Sequence, residues 1–518
     1  MKKIDRSNIV RDFHQAKWDE PIIFELSTPG ERGIIVPGPG REIESQVGDA
    51  VSAIPENLRR KQAPALPEVA QHRVLRHYTR LSQETLGADV NLEIGQGTCT
   101  VKYSPKINEV IARSSKMTEL HPEQDPSTTQ GILEVFYKMD KSLQAISGMD
   151  RFTFQPSGGS QAIYAMAALV RAYHEKNGNA GIKDEIITTI YSHPSDAAAP
   201  AVAGYKIKYI YPDKDGYPDL EAFKEAVSER TAGFFVANPE DTGVYNKNIL
   251  EFTKLVHENG GLCCYDQANA NGLLGVTRAK EAGFDMCFFN LHKTFSTPHG
   301  CGGPACGALG VTKEIEKFLP APVVEFDGKS YILDYDRPDS IGKIRSFSGV
   351  APVVLKAYTW IRTLGAEGLY EVAKVAVLNN NYMFRKLMEI DCVDAPYIEG
   401  KQRIEQVRYT LEKMFDDTGI STGDIQRRMM DFGTHYWTSH HPYHIPEPAT
   451  LEPTESPSKA DIDEYVAILK HVLTEAYENP EIFKDAPHRS VSHQVDESGM
   501  DDPQKWAITW RSYNKKYK

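Results

Sequence analysis

The chain has 518 residues, 59 of them basic and 71 acidic, for a formal net charge of -12. With 41% hydrophobic and 25% charged residues its composition is ordinary globular, which excludes disordered, collagen-like and coiled-coil readings and, at this length, a small binding module; two to four domains are expected at roughly 100–200 residues each. No run approaches the ~18 apolar residues of a membrane helix, the seven cysteines lack the spacing of a disulfide scaffold, and the acidic balance argues against polyanions, so a cytoplasmic protein with neither nucleic acid nor membrane as partner is expected.

Pro29, Pro37, Pro39, Pro55, Pro64 and Pro67 break periodicity through the first ninety residues and leave only short helical pieces such as 71–84. Residues 1–125 are therefore expected to form an extended arm lying over a neighbouring domain or subunit. Helices are expected at 130–146 and 160–176, and strands at DEIITTIYS (184–192) and KIKYIYP (206–212). A strand running into a loop follows at 231–239, an amphipathic helix at 248–260, and GLCCYD at 261–266 is a strand ending on an acid. Apolar, non-alternating strands interleaved with helices predict an α/β fold, a mostly parallel sheet covered on both faces, over 126–370. Further helices are expected at 367–388 and 409–418, then a Pro/His-rich bridge at 435–457. In the helix at 459–479, Ile462, Tyr465, Val466, Leu469, Val472 and Leu473 share one apolar face. Residues 371–518 read as a smaller α+β domain.

The stretch 263–311 carries the chemistry. Asp266 ends a strand, Lys293 lies 27 residues later in a short polar turn, and Gly300, Gly302 and Gly303 follow in a loop. In open parallel sheets ligands sit outside the carboxyl ends of the strands, so Asp266 and the Lys293 turn are expected to face one crevice. Pyridoxal 5′-phosphate needs an amine for a Schiff base, a carboxylate against its pyridine nitrogen, a planar group against its ring and donors for its phosphate. Lys293 and Asp266 supply the first two, and His193, just after the strand IITTIYS, supplies a ring to stack. Ser157, Gly158, Gly159 and Ser160 open the helix IYAMAALVRAY, where free backbone N–H groups hold phosphate. Taken singly, these are a surface lysine, a strand-end turn former, a loop histidine and a helix cap; their joint order favours the cofactor. The histidines of HYWTSHHPYH, His435, His440, His441 and His444, invite a metal but lack an acidic ligand pattern, so no metal is expected. Cys301 and Cys306 flank the glycine loop and read as small core or loop residues.

Longer stretches carry a resemblance: PIIFELSTPGERG at 21–33, LRRKQAPALPEVAQHRVLRHYTRLSQ at 58–83, GTCTVKYSPKINE at 97–109, the Lys293 block, LDYDRPDSIGKIRSFSGV at 333–350, YTWIRTLGAEGL at 358–369, LEPTESPSK at 451–459 and ENPEIFKDAPH at 478–488. In these the chain resembles the glycine-decarboxylating P-proteins of the glycine cleavage system, in the subunit 2 form of organisms that divide the enzyme between two chains. The resemblance implies a fold-type-I, aminotransferase-like large domain. It implies Lys293 as the Schiff-base lysine, Asp266 as partner of the pyridine nitrogen, His193 as the stacking ring and 157–160 as part of the phosphate cup. Thr98, Cys99 and Lys102 match a motif near the active-site mouth, and Asn238 matches the asparagine-proline position after a central strand. Arg345 would contact phosphate or carboxylate, or else form a structural salt bridge; His292 would orient the site or fill space beside the lysine.

The implied reaction is decarboxylation of glycine on pyridoxal 5′-phosphate, with the aminomethyl group passed to the lipoyl arm of an H-protein. A companion subunit 1 and a dimer or heterotetramer go with it. Local departures keep a second reading open. The stacking histidine is followed by Pro194-Ser195-Asp196-Ala197-Ala198, the phosphate side reads SGGSQAIY, the acid motif reads DQANANG, and 391–409 reads DCVDAPYIEGKQRIEQVRY. These changes fit a divergent paralogue, a decarboxylase or lyase on the same cofactor acting on another amino acid without a lipoyl partner. A noncatalytic scaffold is disfavoured because both Lys293 and Asp266 are present.

Overall fold

The computed structural model describes residues 10–518 apart from 12, 35–36, 63, 88, 96–99, 101, 301, 398–400, 439–443, 496–498 and 501. The chain forms two compact units, one of residues 1–11 with 87–484 and one of residues 12–86 with 485–518.

The larger unit is built on a seven-stranded sheet. Its strands are β1 (Arg151–Thr153), β2 (Glu185–Thr189), β3 (Lys206–Ile210), β4 (Thr231–Ala237), β5 (Leu262–Gln267), β6 (Met286–Asn290) and β7 (Gly307–Val311), in the spatial order β1-β7-β6-β5-β4-β2-β3. From β3 to β6 every pairing is parallel, while β7 runs antiparallel to β6 and β1 antiparallel to β7. The unbroken apolar runs in β4, β5 and β6 follow from burial on both faces. Cys263, Tyr265, Cys287 and Phe289 point into a core shared with the helices Gln130–Ser147, Ile249–Glu258 and the start of Ala351–Leu387; Leu262, Cys264, Met286 and Phe288 point into another, shared with the helix Gly159–Lys176. Successive residues face opposite cores, so neither face has room for a polar alternation.

After β3 the chain returns to the other side of β2 and adds β4, β5 and β6 in the opposite direction. That reversal opens a crevice at the carboxyl ends of β2 and β4, the position where doubly wound sheets bind ligands. A hairpin, β8 (Val323–Phe326) with β9 (Tyr331–Asp334), follows the sheet.

The helix Ala351–Leu387 bends at Gly365, whose φ of 66° is left-handed. The helix expected at 367–388 is its second half, and the expected domain boundary at 370/371 falls inside it. Met383, Phe384 and Leu387 then join a separate core with the helix Lys459–Glu478, which buries all six residues of the apolar face read from its periodicity. Two local expectations change here. Residues 407–410 form a strand, β10 (Val407–Thr410), ahead of a helix that begins only at Glu412, and β10 pairs antiparallel with β11 (Pro448–Leu451), within the stretch expected as a bridge. Val407 and Tyr409 are fully buried, and the pairing with β11 overrides the helical pattern of the residues that follow.

This region is locked onto the loop after β4. Arg408 pairs with Asp241, Arg403 donates to the Thr242 carbonyl at 3.2 Å, and a side chain at Gly243, where φ is 76°, would collide with the Gln406 backbone.

The second unit is held by polar contacts. Arg73 bridges to Glu31, and Glu20 accepts from both His77 and Arg80. Phe24 stacks on Trp510 at 5.3 Å. Between 12 and 86, Val69 and His77 alone are buried among the described residues. Among the described residues no helix is long and apolar enough to cross a membrane.

Gly243→Ala is expected to destabilise the larger unit by about 2–4 kcal/mol, because the left-handed backbone and the Gln406 contact both refuse a Cβ. A lowered urea midpoint at unchanged slope checks it.

Candidate active site

Asp266 and Lys293 stand at the ends of neighbouring strands. The β5–β6 register sets Asp266 opposite Phe288, and the chain leaves β6 through Leu291 and His292 in a tight turn closed by the Lys293 N–H on the Asn290 carbonyl, 3.0 Å. Both side chains are buried, Asp266 at 7% exposure and Lys293 at 8%. Asp266 accepts from the Ala268 N–H at 2.8 Å, and the Lys293 amine makes no hydrogen bond with any described residue. Burial pushes the Asp266 carboxyl up, although the Ala268 N–H, the Lys293 charge and Asp196 all pull it down.

Asp196, in the helix Ser195–Val202, is fully buried and its carboxyl reaches that of Asp266. Burial, followed by the charge of Asp266, holds the Asp196 carboxyl well above the usual range. Glu240, after β4, is also buried and accepts from the Thr189 hydroxyl; burial raises it to about 7. These acids escaped the residue-by-residue reading because they arrive from separate crossovers; the signal for Asp196 was an acid among alanines one turn past His193.

His193 is exposed at the carboxyl end of β2, its Nδ1 2.5 Å from the Ser195 hydroxyl and 3.1 Å from the Ser195 N–H. Its carbonyl accepts from the Asp196 N–H at 2.8 Å, so one short turn carries both residues.

Gly158 and Gly159 begin the 159–176 helix, which no side chain caps. A Cβ on Gly159 would lie 2.9 Å from Asn290 Nδ2, and one on Gly307 2.7 Å from the Gly158 carbonyl oxygen, so only glycines let this helix end settle on β6 and β7. Ser157 donates from both its N–H and its hydroxyl to Gln161 Oε1, at 2.7 and 2.8 Å; Ser160 is exposed in the first turn. The Asn290 Oδ1 beside them is buried without a partner. His292 is buried, with Nδ1 3.2 Å from the Cys306 N–H. Burial, then the charges of Lys293 and His299, depress it to about 3, so the ring is neutral. Arg345 is half-buried and near enough to Cys306 to oppose the burial that raises that thiol to about 12. Among the described residues no carboxylate pairs with Arg345, so the salt-bridge alternative has no partner there.

Lys102 is buried behind the lysine turn. It donates to the Thr294 carbonyl at 2.9 Å and to Asn271 at 3.1 Å, pairs with Glu455 at 2.8 Å, and sits 4.8 Å from the Trp360 ring centre. Glu452 accepts from Thr100, Asn269 and Asn271, and burial raises it to about 7. Its charge also acts on Glu405, whose carboxyl burial holds far above the usual range.

Asn238, expected to contact the cofactor, has its amide engaged with Asn246: it donates to the Asn246 carbonyl at 3.2 Å and accepts from the Asn246 N–H at 2.7 Å, bracing the loop that carries Glu240 and Asp241. Thr98 and Cys99 lie outside the described residues, as do Cys301, His440 and His441. His435 bonds Glu93 at 2.7 Å, whereas His444 meets the Tyr191 ring edge-on.

Comparison with known proteins places this arrangement. Residues 153–321 match the family "Aminotransferase class-V" and residues 372–490 match "Glycine dehydrogenase, C-terminal domain". The chain is 43% identical over 503 residues to "Probable glycine dehydrogenase (decarboxylating) subunit 2" of Pyrococcus horikoshii, covering 97% of this chain and 98% of that one. It is 40% identical over 480 residues to the protein of the same description from Halalkalibacterium halodurans, covering 93% and 96%. The chain belongs to the glycine dehydrogenase (decarboxylating) subunit 2 family. Its fold is also that of a crystal structure of glycine decarboxylase (P-protein) of the glycine cleavage system in inhibitor-bound form, with a TM-score of 0.70 at 19% identity, covering 85% of this chain and 100% of that one. A cysteine desulfurase from Thermococcus onnurineus gives a TM-score of 0.57 at 17% identity, covering 74% and 95%. The architecture is thus the fold-type-I, aminotransferase-like one expected, with the smaller C-terminal domain appended.

The raised Glu240 carboxyl sets a pH dependence. The folded chain keeps this proton up to about pH 7, whereas the unfolded chain releases it near 4.5. Its stabilisation is complete below 4.5 and lost as pH rises through 7, about 3 kcal/mol in all. Glu240→Gln, which cannot titrate, is expected to flatten the fall in stability between these limits, read from denaturant midpoints across pH.

Proposed function

We propose that this chain is the catalytic subunit of a divided glycine decarboxylase: with pyridoxal 5′-phosphate bound, it releases carbon dioxide from glycine and passes the aminomethyl group to the lipoyl arm of an H-protein. The observation that carries the reading is the buried Lys293 amine, free of hydrogen bonds to described residues, beside the buried Asp266 carboxylate at the mouth of a parallel sheet. Family membership over 97% of the chain supports the substrate.

The residues present fit the cofactor. An uncapped helix end at Gly158 and Gly159 offers backbone donors for a phosphate, and the glycines there and at Gly307 keep a cradle that a Cβ would fill. When bound, pyridoxal 5′-phosphate supplies an electron sink for the bond pair released as a Cα substituent leaves. Lys293 holds the cofactor covalently, which needs its amine unprotonated. Asp266 sets a negative charge against the pyridine nitrogen and keeps a proton there. The neutral His292 adds no charge next to Lys293, and His193 covers the open face. Ser157 and Ser160 flank the phosphate, and Arg345 binds the substrate carboxylate or the phosphate. Lys102 fixes the turn after Lys293, and the motif match it shares with Thr98 and Cys99 supports a role for the three in substrate access. Burial of Asp266 and Lys293 excludes water, which strengthens each of these electrostatic contacts. A companion subunit 1, in a dimer or heterotetramer, and a cytoplasmic setting complete the reading.

A second reading keeps the cofactor and changes the substrate. It is favoured by residues 403–408, part of the divergent 391–409 stretch, which put Glu405 beside Glu452 and Arg408 on Asp241 in the buried surroundings of the site. This would be a decarboxylase or lyase for another amino acid without a lipoyl partner.

Lys293→Ala is expected to remove the cofactor's visible absorbance and all bound cofactor after dialysis. With its companion subunit and a lipoylated H-protein, the wild-type chain is expected to exchange labelled bicarbonate into the glycine carboxyl. No exchange, together with a spectral response to a different amino acid, would replace glycine by that substrate.

A further inference from the structure

Asp196 has no role in the proposed chemistry, yet it is a fully buried acid in contact with Asp266. It is 0% exposed, and neither of its carboxyl oxygens accepts a hydrogen bond from any described donor. A buried carboxylate in that condition is strongly disfavoured, because it has lost its water and gained little in return. What it does have within reach is a second carboxyl group, that of Asp266. Two carboxylates cannot hydrogen-bond each other without a proton, and two like charges in a buried contact do not both persist.

Among the described residues no Lys or Arg forms an ion pair with Asp196. The 195–202 helix that carries it lies against the 159–176 helix and against β2, β3 and β4. From the loop after β4, Glu240 adds another acid, which raises Asp196 further. Arg171 of the 159–176 helix reaches the opposite end of the short helix, at the Ala203 carbonyl. On its own element, the His193 carbonyl accepts from the Asp196 N–H, and the His193 backbone pulls the Asp196 carboxyl down less than burial and Asp266 push it up. Lys293 is the cation that acts on the pair, and it acts on Asp266.

We propose that Asp196 and Asp266 hold one proton between them, lodged on Asp196, and that Asp196 is thereby a positioning residue that fixes the Asp266 carboxylate in the orientation the cofactor nitrogen requires. As a protonated acid Asp196 donates to Asp266. One Asp266 oxygen, Oδ1, already accepts from the Ala268 N–H. With both contacts made, Asp266 keeps a single negative charge and cannot swing, and a hydrogen bond donated to its charged form favours ionisation despite burial. The pair is a sharing of one proton in which only the acid nearer the cofactor carries charge.

The positioning role rests on the cofactor reading above; the shared proton does not. The test therefore begins with the full-length chain free of cofactor. Infrared difference spectra at neutral pH, wild type minus Asp196→Asn, are expected to show loss of one protonated-carboxyl stretching band. Should that variant misfold, Asp266→Asn tests the same contact: the Asp196 band is expected to remain but shift, since its acceptor has changed from carboxylate to amide. Identical spectra for wild type and a folded Asp196→Asn, or an unshifted band in Asp266→Asn, would overturn the shared proton.

The second arm loads the chain with pyridoxal 5′-phosphate. Asp196→Ala, which removes the donor, is expected to weaken retention about tenfold, while Asp196→Asn, whose amide still donates, restores most of it. Equal retention by the alanine and asparagine variants would overturn the positioning role. If wild type failed to bind the cofactor while the infrared band behaved as described, the cofactor reading would fall, the positioning role with it, and the shared proton would be supported.

Discussion

Charge held out of water at the carboxyl ends of β5 and β6 is the constraint on which this molecule turns. Asp266 and Lys293 are each more than nine-tenths buried, with Asp196 wholly so. In such surroundings an unpaired charge is costly and a paired one interacts far more strongly than at a surface. The amine and the acids must therefore be held close, and nothing flexible can hold them. Each is carried within three residues of a strand end or in the first turn of a helix, so its position is inherited from the sheet. A buried ion pair is weak evidence of stability, since desolvation offsets its attraction. Keeping three ionisable groups in one pocket makes better sense as preparation for chemistry.

The sheet meets this demand by being apolar on both sides. Because β4, β5 and β6 alternate between two hydrophobic cores, a slip of one residue would exchange whole sets of side chains between them, and the register that sets Asp266 opposite Phe288 is strongly specified. The antiparallel β7 then returns Gly307 beneath the Gly158 carbonyl, which is how a helix end from early in the domain is seated next to Asn290 and His292. On the far side, the C-terminal region grips the loop after β4 through Arg403, Gln406 and Arg408. The acid Glu240 is thereby fixed from two directions.

What could be read in the residues is what local pattern encodes. Lys293, Asp266 and the 158–159 helix end stand beside long apolar runs whose direction is plain, and the buried face of the 459–478 helix follows from a 3.6-residue period. The acids Asp196, Glu240, Glu405 and Glu452 could not be read as neighbours, since each sits in an unremarkable stretch and the crossovers alone bring them together. Strand β10 was hidden by the helical pattern just after it, and its reason to exist, β11, lies some forty residues on. Asn238 illustrates a different limit: a short motif puts it on the loop after β4, but the direction of its amide depends on Asn246, eight residues later in a turn. The grouping of 12–86 with 485–518 has no local signal at all.

The division of labour among the cations follows from the same physics. Lys102 looks well placed to bind an anionic substrate, yet its three donors already meet Glu455, Asn271 and the Thr294 carbonyl, and withdrawing it would leave the half-buried Glu455 carboxylate without this counter-charge. Such a lysine is a structural tie that fixes the turn after Lys293. Arg345 is in the opposite condition: half-buried, next to Cys306 and the helix-end cradle, and paired with no described carboxylate. A planar guanidinium offers a carboxylate or phosphate two parallel donors. The proposed anion contact therefore favours Arg345, where no bond to a described residue has to break, over Lys102, where three would.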